Sequence, residues 1–233
     1  MTAPPSGTDT EAPIMDTCHF DVLHALAVKG MAPPAALAAG SRHDRAELLA
    51  ELERLRAAGL ASHLERRDVW RITREGRDRH AELLAHDVPP GVRDRLRRGY
   101  DRFLPVNLRV KDACTRWQLR DGVPNDHTDT GYDAGLVAEL GELHAGADPV
   151  LADLAGARDR FGRYRERLTA ALDRLRGGDT TAFTGVGRDS YHDVWMELHR
   201  DLLLSLRIDR AAEDAAEDSE GSVAAAPPTG TAP

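Results

Sequence analysis

The apolar residues of this chain change period twice within residues 17–87, and this restricts the fold more than any other feature. Up to Gly59 they recur at helical spacing: Phe20, Leu23, Ala27 and Val28, then Leu48, Leu49, Leu52, Leu55 and Ala58. From Leu60 the period is two. Leu60, Ser62 and Leu64 alternate with Ala61, His63 and Glu65; after the polar Arg66-Arg67-Asp68, the run Val69-Trp70-Arg71-Ile72 returns with Trp70 and Ile72 on one face. A single short hairpin among helices excludes layered α/β and all-β architectures. It predicts three helices, a hairpin and a fourth helix.

Local signals set the boundaries. Gly30 and Gly59 stop the first and third helices. Pro33-Pro34 opens a short second helix over 35–39, which Gly40 ends. Ser41-Arg42-His43-Asp44 reads as a capping box that starts the third helix, leaving Glu47 and Glu51 on its exposed side. Thr73 caps the last helix, whose Ala81, Leu84 and Ala85 are expected to pack inward. Val88-Pro89-Pro90-Gly91 can continue no helix and marks a domain break, giving a domain over 17–87 and another over 91–210.

The second domain reads as helical throughout. Leu96, Tyr100, Phe103 and Leu104 begin a helix that Pro105 is expected to break or kink, and the pattern resumes over 106–119. A turn-rich stretch covers 120–128. Leu136, Leu140 and Leu143 follow at helical spacing, Pro149 is expected to open a further helix, and 161–175 forms another that Gly177-Gly178 ends. Tyr191, Trp195, Leu198, Leu202 and Leu206 share one stripe of the last helix. The expected class is mostly α, with a C-terminal antiparallel helical bundle.

The formal charge of −8 comes entirely from the ends. Asp9, Glu11 and Asp16 lie in 1–16, and Glu213, Asp214, Glu217, Asp218 and Glu220 in 211–233, with no Lys or Arg in either segment; the rest is balanced, with 31 acids and 31 bases. Both ends read as disordered tails. The acidity therefore does not argue against a nucleic-acid partner. No run of about 18 apolar residues exists, so no membrane span is expected. Residues 1–16 carry no secretory pattern, and Cys18 and Cys114 show no metal-type spacing, which together point to a cytoplasmic protein with reduced thiols.

The order of elements resembles a winged helix-turn-helix. Ala35-Ala36-Leu37-Ala38-Ala39-Gly40 is similar to the first helix and turn of that motif, and the run from Leu48 to Leu60 to a recognition helix entering the wing. Ile72-Thr73-Arg74-Glu75-Gly76-Arg77 resembles the Leu-Thr-x-x-Gly-Arg that follows the wing in MarR-type regulators. The resemblance implies a double-stranded DNA partner. The third helix would enter the major groove with Arg42, His43 and Arg45, and the wing would reach neighbouring phosphates with Arg66, Arg67 and Arg71. Residues 66–79 hold six Arg against Asp68, Glu75 and Asp78. The competing reading is a winged-helix module that binds protein instead of DNA, as an accessory to a metabolic enzyme.

Phe103-Leu104-Pro105-Val106-Asn107, Trp117-Gln118, Asn125-Asp126-His127 and the run from Asp189 to Trp195 stand out in a domain otherwise rich in Ala, Arg and Leu. They resemble an actinobacterial helical module found beside winged helices, and more weakly a module ending some pyruvate-phosphate-dikinase-like proteins. The implied role is effector sensing, partner binding or homodimer formation. A small-molecule pocket would be lined by Trp117, Tyr132, Tyr191 and Trp195, with Asn125, Asp126, His127 and His192 as its polar groups, the two segments converging at one end of the bundle. The alternative is that the rings are ordinary core. A metal set of Asp126, His127, His192 and His199 lacks the close His pairs of zinc sites, so neither metal nor cofactor is expected. No catalytic motif is present; a helical enzyme using Asp126 and His127 is the least favoured reading.

Overall fold

The computed structural model describes residues 17–209; both segments read as tails lie outside the described residues. The described chain is mostly helical, with one three-stranded and one two-stranded antiparallel sheet. It divides into two compact units between Leu83 and Leu84.

The first unit runs α1 (Thr17–Lys29), β1 (Met31–Ala32), α2 (Pro34–Ala39), α3 (Arg45–Ala57), β2 (Ala61–Leu64), β3 (Val69–Ile72) and the start of α4 (Arg74–Asp87). The sheet order is β1-β3-β2. β1, which the sequence pattern does not announce, pairs through Met31 with Arg71 and through Ala32 with Trp70. In the β2–β3 hairpin Trp70 and Ile72 are buried and Arg71 is exposed, as period-two alternation requires. His63 stacks on its cross-strand neighbour Trp70 with ring centroids 4.5 Å apart, and its Nε2 lies 3.0 Å from the Asp68 carboxylate.

Three expectations for this unit need correction. The third helix begins at Arg45, not at Ser41, because Asp44 is the better cap. The Asp44 carboxylate accepts from the Ala46 and Glu47 N–H groups, and the Glu47 carboxylate accepts from the Asp44 N–H. Ser41 instead accepts from the His43 N–H in the preceding turn. Glu51 is buried, not exposed: it is held by His19 at 2.8 Å and Arg54 at 2.8 Å. The inward face of α4 carries Gly76 and His80, while Ala81 is exposed. Buried His80 meets buried His24 of α1 at 2.9 Å, beside the Phe20 ring.

The second unit continues from the end of α4 into α5 (Pro90–Gln118), a hairpin of β4 (Leu119–Arg120) and β5 (Val123–Pro124), α6 (Thr130–Ala157), α7 (Gly162–Arg176), the short α8 (Thr181–Thr184) and α9 (Tyr191–Leu206). The long helices pack α5 on α6, α6 on α7, α7 on α9 and α9 on α5. Neither internal proline ends its helix: α5 runs through Pro105 and α6 through Pro149. Both prolines are exposed, as are Asp101 and Ala145 four residues earlier, so each helix loses its hydrogen bond on an exposed face. At the core, the indole N–H of Trp195 donates to Asn107 Oδ1 at 2.9 Å, with both residues fully buried, and the Phe103 ring stacks on Trp195 at 4.9 Å. The unusual Phe103-to-Asn107 segment is thus the α5 side of an α5–α9 contact.

A buried ionic network ties the end of α4 to α7 and α9. The Arg160 guanidinium donates to Asp87, to Asp201 at 3.2 Å and to Ser205 Oγ at 2.6 Å. Tyr164 donates to Asp201 at 3.1 Å, and Arg158 donates to Asp87 at 2.8 Å. Burial opposes the Arg160 charge, but Asp201 and Asp87 outweigh it and raise its pKa. Because Asp87 belongs to this network, the division of the chain falls ahead of the Pro-Pro-Gly segment. Asp201→Ala would leave Arg160 with only one of its two carboxylate partners, and is expected to cost about 3–5 kcal/mol in denaturant unfolding of the second unit.

Candidate functional site

Apart from Arg42, the exposed arginines of the first unit fall into two groups. Arg54, Arg56 and Arg79 are each held by a carboxylate, from Glu51, Glu53 and Glu82. Arg45, Arg66, Arg67, Arg71, Arg74 and Arg77 have no carboxylate partner among the described residues. These six occupy three places: the first turn of α3, the β2–β3 hairpin and the first turn of α4. Arg66 and Arg67 sit in a single 3-10 turn at the hairpin tip, closed by Asp68 in the left-handed region at φ 47°. Arg71 donates from Nε to Ser62 Oγ at 3.0 Å, bracing its guanidinium across the hairpin.

Arg42 and His43 lie in the turn before α3, not on its first turn. Arg42 is exposed, whereas the His43 side chain is 17% exposed, with Nε2 3.2 Å from the Asp21 carboxylate of α1. His43 is therefore turned toward its own domain. Arg45 is the expected residue that remains exposed on the helix itself.

The hairpin and α4 are fixed to each other by Thr73 and Gly76. Thr73 Oγ1 donates to the Gly59 carbonyl at 2.8 Å and accepts from the Gly76 N–H at 3.0 Å, while the Thr73 N–H donates to the Leu60 carbonyl at 3.0 Å. A Cβ on Gly76 would lie 2.0 Å from the Leu60 carbonyl oxygen and 2.8 Å from Ile72. This is the physical content of the Thr-x-x-Gly spacing: a cap, and a helix turn pressed against backbone.

In the second unit the hydrogen bonds and ring contacts of the eight residues expected to line a pocket fall into two sets. Around the start of α6, the Trp117 ring lies 4.6 Å from His127 and stacks on Phe183 at 4.5 Å. Asn125 donates to the Trp117 carbonyl at 3.2 Å and to Asp133 at 3.1 Å, and His127 Nδ1 lies 2.9 Å from Asp133. Tyr132 donates to the Arg116 carbonyl at 3.1 Å beneath the Arg120 guanidinium. Asp126 is exposed and accepts from the Thr128 N–H and hydroxyl, which hold its carboxyl below the usual range. Elsewhere, Tyr191 and Trp195 are fully buried and stacked at 6.0 Å, and Tyr191 OH meets His144 Nδ1 at 3.3 Å. His192 is half-buried beside them. No hydrogen bond or ring contact among the described residues joins His127 to His192. His199 is buried against the Tyr100 and Phe103 rings. Among the described residues no three His, Cys, Asp or Glu side chains stand together as a metal site, and no helix is long and apolar enough to cross a membrane. Burial pushes the Cys114 thiol up to about 12, so it stays protonated.

The sequence reading missed Arg74 and Arg77 as candidate site residues. The signal was present in the arginine count of 66–79, but their grouping with Arg71 depends on β1 and on the α4 cap. Compared with known proteins, the chain matches no family model, no curated protein and no solved structure.

Two outcomes follow. Gly76→Ala should destabilise the first unit by about 3 kcal/mol in denaturant unfolding, because the obstructing atom is backbone and cannot swing away. Burial lowers the pKa values of His144 and His192 below the ordinary 6.5. In the unfolded chain both take up protons first, so the second unit should lose stability as pH falls through 6.5, while the ionised carboxylates stay charged. Thermal melts between neutral and mildly acid pH should show this slope, and His144→Gln with His192→Gln should flatten it.

Proposed function

We propose that this protein is a DNA-binding regulator, with a winged helix-turn-helix in its first unit and a helical bundle in its second that senses a ligand or partner or forms a homodimer. One observation carries this reading: the first unit pairs exposed Arg54, Arg56 and Arg79 with carboxylates, yet holds Arg45, Arg66, Arg67, Arg71, Arg74 and Arg77 without one among the described residues. Unpaired guanidiniums on a helix start and a hairpin tip suit a polyanion that meets both a groove and the flanking backbone. α3 has 13 residues and spans about 20 Å, long enough to lie in a major groove about 12 Å wide. The withdrawal of Glu51 into the core, with Glu47 used as a cap partner, lessens the repulsion that two exposed acids on α3 would impose.

On this reading Arg45 meets base edges and Arg66 and Arg67 meet phosphates, with Arg42 close to the groove mouth. The half-buried polar cluster of Asn125 and Asp133 with exposed His127 is the better place for an effector, since Tyr191 and Trp195 are enclosed.

The test is fluorescence anisotropy with a duplex from the protein's own upstream region. With about four phosphate contacts, affinity should fall about a hundredfold between 50 and 200 mM salt, as condensed counterions cease to be released favourably. Arg66→Ala and Arg67→Ala should weaken specific and random duplexes alike, each reducing the salt slope by about one. Arg45→Ala should cost about 1–3 kcal/mol on the preferred sequence and less on random DNA. A folded protein that shows no shift at low salt overturns the regulator reading and favours a protein partner.

A further inference from the structure

We propose that the cleft bounded by β1, β3 and the first turn of α4 is a phosphate-binding site formed by Arg71, Arg74 and Arg77. The cleft measures about 520 Å³, and its walls also include Gly30, Met31 and Thr73, with no carboxylate among its lining residues. The site goes beyond the groove-facing residues: Arg74 and Arg77 belong neither to α3 nor to the hairpin tip, and the DNA reading is needed for only one of the two possible phosphate sources.

The fold brings the three guanidiniums together from separate causes. Arg71 lies on the exposed face of the central strand, directly across from Met31 of β1. Arg74 and Arg77 are one turn apart on α4, so they share a face. The Thr73 and Gly76 contacts with the Gly59-Leu60 turn fix where that face points. Arg71 is braced by Ser62, Arg77 reaches the Ile72 carbonyl at 3.5 Å, and Arg74 has no hydrogen-bond or ion-pair partner among the described residues.

Three cations around one cleft repel each other, and a bound dianion removes that cost. The guanidinium fork matches phosphoryl oxygens in pairs, which a lysine ammonium would not. The neighbouring acids Glu75 and Asp78 are exposed and do not line the cleft. The shared chemistry is therefore a phosphoryl group, whether a diester of the DNA backbone or the free phosphate of a small molecule.

The experiment uses the full chain with two probes, inorganic pyrophosphate by calorimetry at low salt and the upstream duplex by anisotropy. The variants are Arg74→Ala/Arg77→Ala, the charge-keeping Arg74→Lys/Arg77→Lys, and Arg79→Ala as a control that removes a charge from α4 outside the cleft. Loss of at least about tenfold in binding of either probe by the Ala pair, an intermediate loss by the Lys pair and a change under about twofold for Arg79→Ala is the expected result, the size of losing two charge-assisted contacts. If the duplex carries the loss, the source is the DNA backbone. If pyrophosphate alone carries it, the source is a free phosphate, and this holds even where wild type binds no duplex and the regulator reading fails. The proposal is overturned if neither probe separates the Ala pair from Arg79→Ala while circular dichroism shows both folded; duplex binding that survives in both leaves the regulator reading standing alone.

Discussion

The contact between the first turn of α4 and the Gly59-Leu60 turn governs the exposed chemistry of the first unit. Backbone meets backbone there, since a single methyl on Gly76 would stand 2.0 Å from the Leu60 carbonyl oxygen. Thr73 bonds to both sides of the junction and prevents the two from separating. This seating sets where the α4 arginines stand. The placement of Arg71 beside Arg74 and Arg77 is thus a consequence of packing at a glycine, and the three charges keep their positions without attracting one another.

Both units leave exposed arginines without a carboxylate among the described residues, Arg98 and Arg109 in the second among them, but the second also buries arginine charge. In the second, Arg160 is almost wholly buried, and its charge persists because Asp87, Asp201, Ser205 and Tyr164 surround it. Such a network adds little net stability relative to an apolar core, but it punishes removal of any one member. Arg167 is held similarly by Asp189 and Glu197, which raise its pKa against the opposing effect of burial. In the first unit, the arginines left without carboxylates are confined to the α3 start, the hairpin and the α4 start. Surface pairing is individually weak, so its absence costs the fold little. A region where it is absent in six places remains available to an external anion.

The residues that make the second unit unusual in sequence divide by role once folded. Asn107 and Trp195 form a buried hydrogen-bonded pair, and Tyr191 is enclosed beside them. Asn125 and Asp133, both half-buried, and exposed His127 form a second polar cluster next to Trp117. Rarity in composition marked both places without distinguishing a core polar pair from a half-buried cluster.

Local periodicity by itself determined the helices, the β2–β3 hairpin with Trp70 and Ile72 inward, and the stops at Gly30, Gly59 and Gly177, because each rests on interactions a few residues apart. The Thr73-to-Gly76 spacing was visible too, although its reason was not. Tertiary structure decided what local signals left open. β1 is two residues long and gains its partner about forty residues away, so no pattern announces it. Pro105 and Pro149 are helix breakers by type, yet both helices continue, each with its proline on an exposed face. Ser41 and Asp44 are both good caps; Asp44 prevails through its exchange with Glu47. Glu51 looks exposed by spacing and is buried because Arg54 compensates its charge and His19 lies within hydrogen-bond distance of its carboxylate. The convergence of Arg71, Arg74 and Arg77 likewise arises only when a strand, a cap and a glycine contact act together, since charge has no period that a linear pattern records.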